Sequence, residues 1–388
     1  MMKVLLLSQA IAQNELEEIV QAFPPKTMFT FLTGSPVSYE RVDIYKTTPH
    51  DSRSLKSRLK CWLGYIRDVM KWYSRNQEHF DFIYGISNPP VDAWLGCWLK
   101  RRLKAPFVYM NWDLYPQIIE KSYSNPVVRL ICSLWHAINR RIYPQIDQMI
   151  TIGSVMRDSS NAPMKKKLNI DIVPIACNTD KLLPRDKASN PFIMQNGLTG
   201  KFIVLYSGKL GYGHNISAFL KAAEMLRNEA EIEFVFIGKG PRCAEVEKAI
   251  KDGASNVKLF PYQSEELFPY SMACGDVGIV SQEERLAHLF LPSKTYSMMA
   301  CGMPVIGLCS NKDDLKELLE ESGAGYAITD GNAAKLAEYV LKLYKDRELQ
   351  QQLSLKARIY IEENYSEEAV IDKYRNVFDK VISGSAKK

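Results

Sequence analysis

Short apolar runs alternate with amphipathic stretches along the whole chain. Such runs are typical of strands in parallel sheets, whose two faces are both covered by helices. The alternation of strands and helices therefore predicts an α/β chain built from two doubly wound, Rossmann-like sheets. The predicted strands cover 4–8, 28–33, 82–86, 106–112, 148–153, 172–177, 202–207, 232–238, 257–261, 277–281, 304–308 and 326–329.

A polar stretch at 178–200, which contains Pro184 and Pro191, interrupts the strand–helix pattern and predicts a linker. We therefore expect an N-terminal domain over 1–185 and a second domain over 186–366. A last helical pattern covers 367–382 and repeats apolar residues at helical spacing. It predicts a separate C-terminal segment over 367–388.

Length and composition limit the class of protein. The 388 residues suffice for two domains of ordinary size, and no run of 18 apolar residues predicts a membrane-spanning helix. Eight cysteines are scattered without Cys-x-x-Cys spacing, which is the pattern of reduced thiols in a protein core. We therefore expect a cytoplasmic protein.

The positive charge is concentrated in the first half of the chain. Residues 1–180 carry 23 Lys and Arg against 16 Asp and Glu, a net charge of +7, whereas the remainder has −1. The basic residues of 53–67 and 100–104 are interleaved with Trp and Leu. This composition is typical of a face that meets an anionic membrane. A solvated helix face above core aromatics is the alternative.

Two lysines stand where strands lead into helices in the second half. Lys209 follows the strand 202–207 and Gly208, and Lys294 follows Pro292, a residue that favours the first turn of a helix. A cation in that turn opposes the helix dipole, which indicates an anionic partner. Two ammonium groups and two helix ends suit a diphosphate. A nucleotide-sugar donor is therefore the leading ligand.

The segment Gly208-Lys209-Leu210 resembles a motif of GT-B glycosyltransferases, specifically the family-4-like enzymes of bacterial capsule, O-antigen and exopolysaccharide synthesis. That family carries Gly-Arg-Leu-x-x-x-Lys-Gly, so Lys209 stands at the family arginine and His214 at the family lysine. The segment 297–306, Ser-Met-Met-Ala-Cys-Gly-Met-Pro-Val-Ile, is similar to a second family motif.

The second motif departs from the family in one respect. Relatives place two glutamates eight residues apart, and these positions hold Leu289 and Ser297 here. A sub-group of capsule and O-antigen transferases has Pro-Ser-Lys-x-Tyr instead, which this chain matches from Pro292 to Tyr296.

The resemblance implies a GT-B fold, in which two domains face a cleft and the last helix crosses back to the first domain. It implies a retaining hexosyltransferase that uses an NDP-sugar (UDP or GDP) and requires no metal or other cofactor, because lysines and helix ends neutralise the leaving diphosphate. Lys209 and Lys294 would be catalytic. The donor-binding residues would be Gly208, Lys209, Gly211, His214, Gly238, Pro261, Tyr262, His288, Leu291, Pro292, Ser293, Lys294 and Ser297.

The first domain would bind the acceptor, a saccharide or a lipid-diphosphate-linked sugar. Asp113 follows directly after the strand 106–112. Relatives carry His-Asp at this point, and Trp112 replaces that histidine. We expect Ser8, Asn88, Trp112 and Asp113 on the acceptor side, with Asp113 in a catalytic role. A lipid-linked acceptor together with the basic segments predicts peripheral association with the inner face of the cell membrane.

Three other functions compete with this interpretation. The missing glutamates favour a non-catalytic subunit that binds a sugar nucleotide or acts as a scaffold, and an NDP-sugar epimerase with the same fold is a lesser alternative. A nucleic-acid-binding protein could use the basic segments, but the chain contains no RNA- or DNA-binding motif, so we expect no nucleic-acid partner.

Overall fold

The computed structural model describes residues 1–51, 53–76, 78–122, 125–282 and 292–385. They form two compact units. Unit 1 consists of Met1–Pro174 together with Val370–Lys388, and unit 2 of Ile175–Ala369. No helix in the described ranges is long and apolar enough to span a bilayer. All eight cysteines lie within these ranges and are free thiols.

Unit 1 is built on a parallel sheet of seven strands in the order β3-β2-β1-β4-β5-β6-β7. Its central strands are buried along their length because helices cover both faces. The strands are β1 (Lys3–Leu7), β2 (Met28–Thr33), β3 (Val42–Lys46), β4 (Phe82–Ile86), β5 (Phe107–Asn111), β6 (Gln148–Thr151) and β7 (Ile170–Ile172). The helices are α1 (Gln13–Gln21), α2 (Leu55–Arg75), α3 (Asp92–Leu103), α4 (Gln117–Ser122), α5 (Pro126–Ile142), a 3₁₀ turn (Tyr143–Gln145) and α6 (Ser154–Asn161).

Unit 2 contains a second parallel sheet, with six strands in the order β10-β9-β8-β11-β12-β13. Its strands are β8 (Phe202–Ser207), β9 (Ile232–Ile237), β10 (Val257–Phe260), β11 (Val277–Ser281), β12 (Val305–Leu308) and β13 (Gly325–Ile328). Its helices are α7 (Pro191–Gln195), α8 (Ile216–Met225), α9 (Cys243–Lys251), α10 (Phe268–Met272), α11 (Lys294–Ala300), α12 (Asp314–Ser322), α13 (Ala333–Lys345) and α14 (Arg347–Tyr365).

The last helix, α15 (Glu367–Ser385), returns to unit 1. Phe378 is buried and stacks on Phe23 with ring centroids 4.4 Å apart. It also meets Phe82 and Tyr84 of β4 edge-on, at 5.4 Å in each case. These contacts confirm the prediction that the C-terminal helix crosses back to the first domain.

Two strand predictions were wrong. The strand predicted at 172–177 is β7, which ends at Ile172, because Pro174 has no N–H with which to continue the ladder. The edge strand β3 was missed, since its residues are half-buried or exposed and lack an apolar run.

The compact units divide at Pro174 and Ala369, whereas the predicted domains ended at 185 and 366. The start of the predicted linker is attached to unit 2. The Arg358 guanidinium of α14 donates to the carbonyl oxygens of Thr179 and Leu182 at 3.0 and 2.6 Å.

Candidate active site

The sheet of unit 2 reverses its strand order between β8 and β11. Parallel sheets bind ligands at the carboxyl ends of the strands at such a switch point. The loop after β8 holds Gly208, Lys209 and Gly211, and Asn215 caps α8 by accepting from the N–H of Ala218 at 3.1 Å. The predicted lysine loop therefore lies at the edge where a ligand is expected.

The loops after β8 and β9 approach each other without intervening side chains. Gly208 N donates to the carbonyl oxygen of Ile237 at 2.8 Å. Gly238 has φ +148°, and a Cβ there would lie 1.9 Å from the carbonyl oxygen of Gly208. Only glycine allows this approach. The predicted donor-binding residue Gly238 thus positions the loop after β8 by packing its backbone against Gly208.

Lys294, the first residue of α11, extends its ammonium group to the end of β8. Its Nζ donates to the Tyr206 hydroxyl at 2.7 Å and lies 4.1 Å from the centroid of the same ring. The Tyr206 hydroxyl in turn donates to the carbonyl oxygen of Lys209 at 2.8 Å. One hydroxyl therefore joins the two lysine-bearing segments that the sequence singled out. Tyr206 was not predicted, because a tyrosine inside a buried strand is indistinguishable from core.

His214 completes the surroundings of the ammonium. Its Nδ1 lies 2.6 Å from the carbonyl oxygen of Ser281, so this nitrogen carries the proton and donates. Nε2 is then an acceptor, and it lies 3.5 Å from Lys294 Nζ. Burial and the neighbouring Lys294 lower the pKa of His214 to about 4, so the ring is neutral at physiological pH. It therefore accepts from the ammonium without repelling it.

Lys294 has no acidic partner within the part of the chain that the structure describes. Burial lowers the pKa of its ammonium group to about 7. A buried cation is costly unless it is paired. The Tyr206 and His214 acceptors are both neutral, so they leave the positive charge of Lys294 uncompensated among the described residues.

A cavity of about 420 Å³ opens in front of these groups. It brings together eight predicted donor-binding residues, namely Gly208, Lys209, His214, Tyr262, Pro292, Ser293, Lys294 and Ser297. Its remaining lining, which sequence reasoning missed, consists of Ser207, Ile237, Gln263, Phe268, Ser271 and Met272. Most of these come from the loop after β10 and from α10, where no motif marks them.

The other predicted donor residues lie elsewhere. Gly211, Gly238 and Pro261 do not line this cavity. Gly238 packs against Gly208, which does line it. His288 and Leu291 lie outside the described residues. The helix α11 begins at Lys294, with Ser293 at the N-cap position and no side-chain cap.

The predicted acceptor residues lie at the carboxyl ends of the strands in the sheet of unit 1. The strand order of this sheet reverses between β1 and β4. Ser8 is fully buried and donates to the carbonyl oxygens of Ala10 and Asn88 at 2.9 and 3.2 Å. Asn88 donates from Nδ2 to the Ala10 carbonyl oxygen at 3.0 Å. Both side chains therefore hold the two loops together.

Trp112 and Asp113 follow β5 at the same edge. Their backbone N–H groups donate to the Ser87 hydroxyl at 2.9 and 3.4 Å. Burial raises the pKa of the Asp113 carboxyl to about 6, and the positive charge of Arg58 opposes this rise. Asp113 is therefore a carboxylate that can gain a proton just below neutral pH.

The described residues contain no group of three or more His, Cys, Asp or Glu that could hold a metal ion. The positive charges facing the cavity belong to side chains.

Comparison with known proteins identifies the domain that carries the cavity. Residues 201–346 match the family model described as Glycosyl transferases group 1. The chain is 27% identical over 317 residues to a protein of Pseudomonas aeruginosa named probable glycosyltransferase WbjE, covering 79% of this chain and 76% of that protein.

Solved structures show the same architecture. The Anabaena protein HepE in complex with UDP has a TM-score of 0.72 at 14% identity, covering 99% of this chain and 100% of HepE. WaaG, a glycosyltransferase involved in lipopolysaccharide biosynthesis, has a TM-score of 0.66 at 14% identity, covering 95% of this chain and 98% of WaaG. These structures confirm the predicted GT-B fold, and the family match over residues 201–346 together with the similarity to WbjE supports the prediction of a glycosyltransferase.

Proposed function

Because residues 201–346 are a Glycosyl transferases group 1 domain, we propose that the chain transfers a sugar from a UDP-sugar, with retention, to a hydroxyl of a saccharide or lipid-linked acceptor. The observation that carries this proposal is the buried ammonium of Lys294, which faces a cavity and has no acidic partner in the described ranges. A diphosphate supplies the missing negative charge. HepE, which has the same fold, binds UDP and UDP-glucose.

The leaving group is stabilised by two lysines. Lys209 and Lys294 both line the cavity, and the first turn of α11 presents backbone N–H groups beside them. As the bond between the anomeric carbon and the diphosphate oxygen breaks, negative charge grows on that oxygen. Charges already in place for it lower the barrier without reorganisation.

The acceptor oxygen attacks the anomeric carbon from the face that the diphosphate leaves. The acceptor's proton passes to an oxygen of the departing phosphate, so no carboxylate is needed in unit 2, where Ser297 replaces a family glutamate. His214, which is neutral and lines the cavity, accepts from the Lys294 ammonium and so helps to hold this charge in place for the diphosphate. Asp113 of unit 1 orients the acceptor.

We place this reaction in surface polysaccharide biosynthesis, because WaaG, which has the same fold, is involved in lipopolysaccharide biosynthesis. Peripheral binding to the inner face of the membrane would bring the enzyme to a lipid-linked acceptor. The exposed side of α2 supports this, because Lys56, Lys60, Arg67 and Lys71 follow one another at helical spacing. Each basic residue near an anionic leaflet contributes about 1 kcal/mol.

The donor assignment is tested with a thermal-shift series of UDP-, GDP- and ADP-sugars, since a ligand that binds only the folded state raises its stability. We expect a UDP-sugar to raise Tm and to be transferred or slowly hydrolysed. Lys209→Ala and Lys294→Ala should each reduce transfer at least roughly tenfold, because a charge-assisted hydrogen bond contributes about 1.5–3 kcal/mol.

Lys248→Ala is the matched control, because this exposed lysine lies on α9, away from the cavity. Wild-type donor affinity in both cavity variants would refute the assignment. Donor binding without hydrolysis or transfer to any acceptor would instead favour a non-catalytic sugar-nucleotide-binding subunit.

A further inference from the structure

Helix α5 of unit 1 leaves a continuous apolar stripe exposed. Of the 18 large hydrophobic residues that are exposed in the described chain, five lie on this one helix. Each member lies three or four residues from another member, so they share one face. They are Val127 (64% exposed), Leu130 (63%), Ile131 (54%), Leu134 (60%) and Ile138 (38%). We call them the α5 stripe.

The opposite face of α5 fixes the helix firmly to unit 1. Asn139 is buried, accepts from Trp94 Nε1 at 3.0 Å and donates to the carbonyl oxygen of Tyr115 at 3.1 Å. Trp135 stacks on Tyr115 and meets Trp94 edge-on, with ring centroids 6.1 and 5.5 Å apart. The helix therefore cannot turn its stripe inward without breaking this network.

The charged residues on α5 itself have a single sign, and the acidic neighbour Glu120 of α4 contacts His136 of α5 at 3.1 Å. Helix α5 contains three arginines, Arg129, Arg140 and Arg141, and no Asp or Glu. Its neighbour α2 contacts it through Trp62, whose ring centroid lies 6.2 Å from that of Trp135. The exposed side of α2 carries the four basic residues named above and also Leu59, Leu63 and Met70. An apolar stripe thus adjoins a basic surface.

The size of the stripe argues against a second protein chain as its partner. A helix of 17 residues is about 25 Å long and about 10 Å wide, so its face offers roughly 250 Å². A stable interface buries about 800 Å² on each partner. An apolar strip of this size with basic flanks matches instead a helix lying in the plane of a lipid interface.

We propose that the α5 stripe inserts into the acyl boundary of an anionic leaflet, while the basic residues of α2 contact the lipid headgroups. This inference rests on the membrane association proposed above and divides it into two parts. The contribution of the basic residues of α2 is electrostatic and is screened by salt, whereas that of the α5 stripe is hydrophobic and persists.

The test uses the full chain and sedimentation with vesicles of phosphatidylethanolamine and phosphatidylglycerol, in low salt and in about 1 M NaCl, where the Debye length is about 3 Å. Wild-type protein should bind in low salt and keep part of its binding in high salt. The double variant Leu130→Gln/Leu134→Gln should bind at least about tenfold more weakly than the wild type in low salt and in high salt.

The matched control is Leu355→Gln/Ile359→Gln, which removes two exposed apolar residues from α14 of unit 2. It should bind vesicles as the wild type does. All variants should keep the wild-type Tm and UDP-glucose affinity, which excludes misfolding as the cause of a loss.

Three results would overturn the inference. Unchanged binding of the α5 double variant, together with a loss in Lys56→Glu/Lys60→Glu, would leave the proposed membrane association standing and place it on α2 alone. No binding of the wild type to any vesicle would refute both. A dimer in sedimentation velocity that only the α5 variant abolishes would identify the stripe as a contact between two copies.

Discussion

Donor binding should weaken as the pH rises from 6 to 8, and Lys294 is the reason. Its ammonium has a pKa of about 7 in the free protein, because the group is buried beside neutral acceptors. Only the charged form can pair with a diphosphate. The apparent dissociation constant therefore grows as the charged fraction falls.

The magnitude follows from that pKa. At pH 6 about nine-tenths of the free protein carries the ammonium, and at pH 8 about one-tenth does. The dissociation constant for UDP-glucose should thus be roughly tenfold larger at pH 8 than at pH 6. His214 does not contribute, because its pKa of about 4 keeps it neutral throughout this range.

Isothermal titration calorimetry measures both the affinity and the protons exchanged. UDP-glucose is preferable to UDP, whose terminal phosphate itself titrates near pH 6. Measuring binding instead of turnover also removes any contribution from Asp113 on the acceptor side. Donor binding raises the pKa of Lys294, so at pH 8 nearly one proton should be taken up per donor bound, seen as a dependence of the observed heat on the buffer.

Lys294→Arg is the control, because a guanidinium remains charged at every accessible pH. Its affinity, whatever its absolute value, should not vary between pH 6 and 8. A wild-type affinity that is constant over this range, with no proton uptake at pH 8, would refute the assignment of Lys294 as the titrating diphosphate contact.

Three further predictions concern the same unit. Transfer should persist in excess EDTA, because the lysines neutralise the diphosphate; complete loss that magnesium or manganese restores would show that a metal takes part. Tyr206→Phe should weaken UDP-glucose binding about three- to tenfold and move the pH midpoint of binding downward, since the ammonium loses an acceptor. Tyr212→Phe, which changes an exposed residue in the loop after β8, should change neither, and equal effects in both would contradict the role of Tyr206. Gly238→Ala should lower the free energy of unfolding by more than the about 1–3 kcal/mol that backbone strain alone costs, because the new Cβ would meet the Gly208 carbonyl oxygen. Gly197 also has a positive φ but has open space around it, so Gly197→Ala measures the strain alone, and equal losses in both variants would contradict the clash.

Sequence patterns predicted most of the fold because buried parallel strands are continuous apolar runs. All six predicted strands of unit 2 overlap observed strands, and α15 begins at Glu367, the first residue of its predicted helical pattern. The patterns failed where burial is partial. Strand β3 lies at an edge of its sheet, and the stretch after Ile172 remains apolar although Pro174 ends the ladder.

Site residues could be predicted where a sequence motif marks them. They could not be predicted where their role depends on contacts between segments that are distant in the chain. Lys209, His214 and Lys294 could be found from spacing and resemblance. Tyr206 could not, because its role depends on a hydroxyl that meets residues 3 and 88 positions away along the chain. The α5 stripe was also missed, since an amphipathic pattern does not reveal which helix face the rest of the domain covers.

The return of α15 to unit 1 has a consequence for biosynthesis. Phe23 and Phe82 are translated early, but Phe378, which covers them, follows only after all of 175–369 has been made. At about 5–20 residues per second this interval is on the order of 10–40 s. Unit 2 is continuous in sequence and can fold during that time, whereas the aromatic core of unit 1 stays open to chaperones. A chain that ends before Val370 therefore lacks the aromatic ring that covers Phe23 and Phe82.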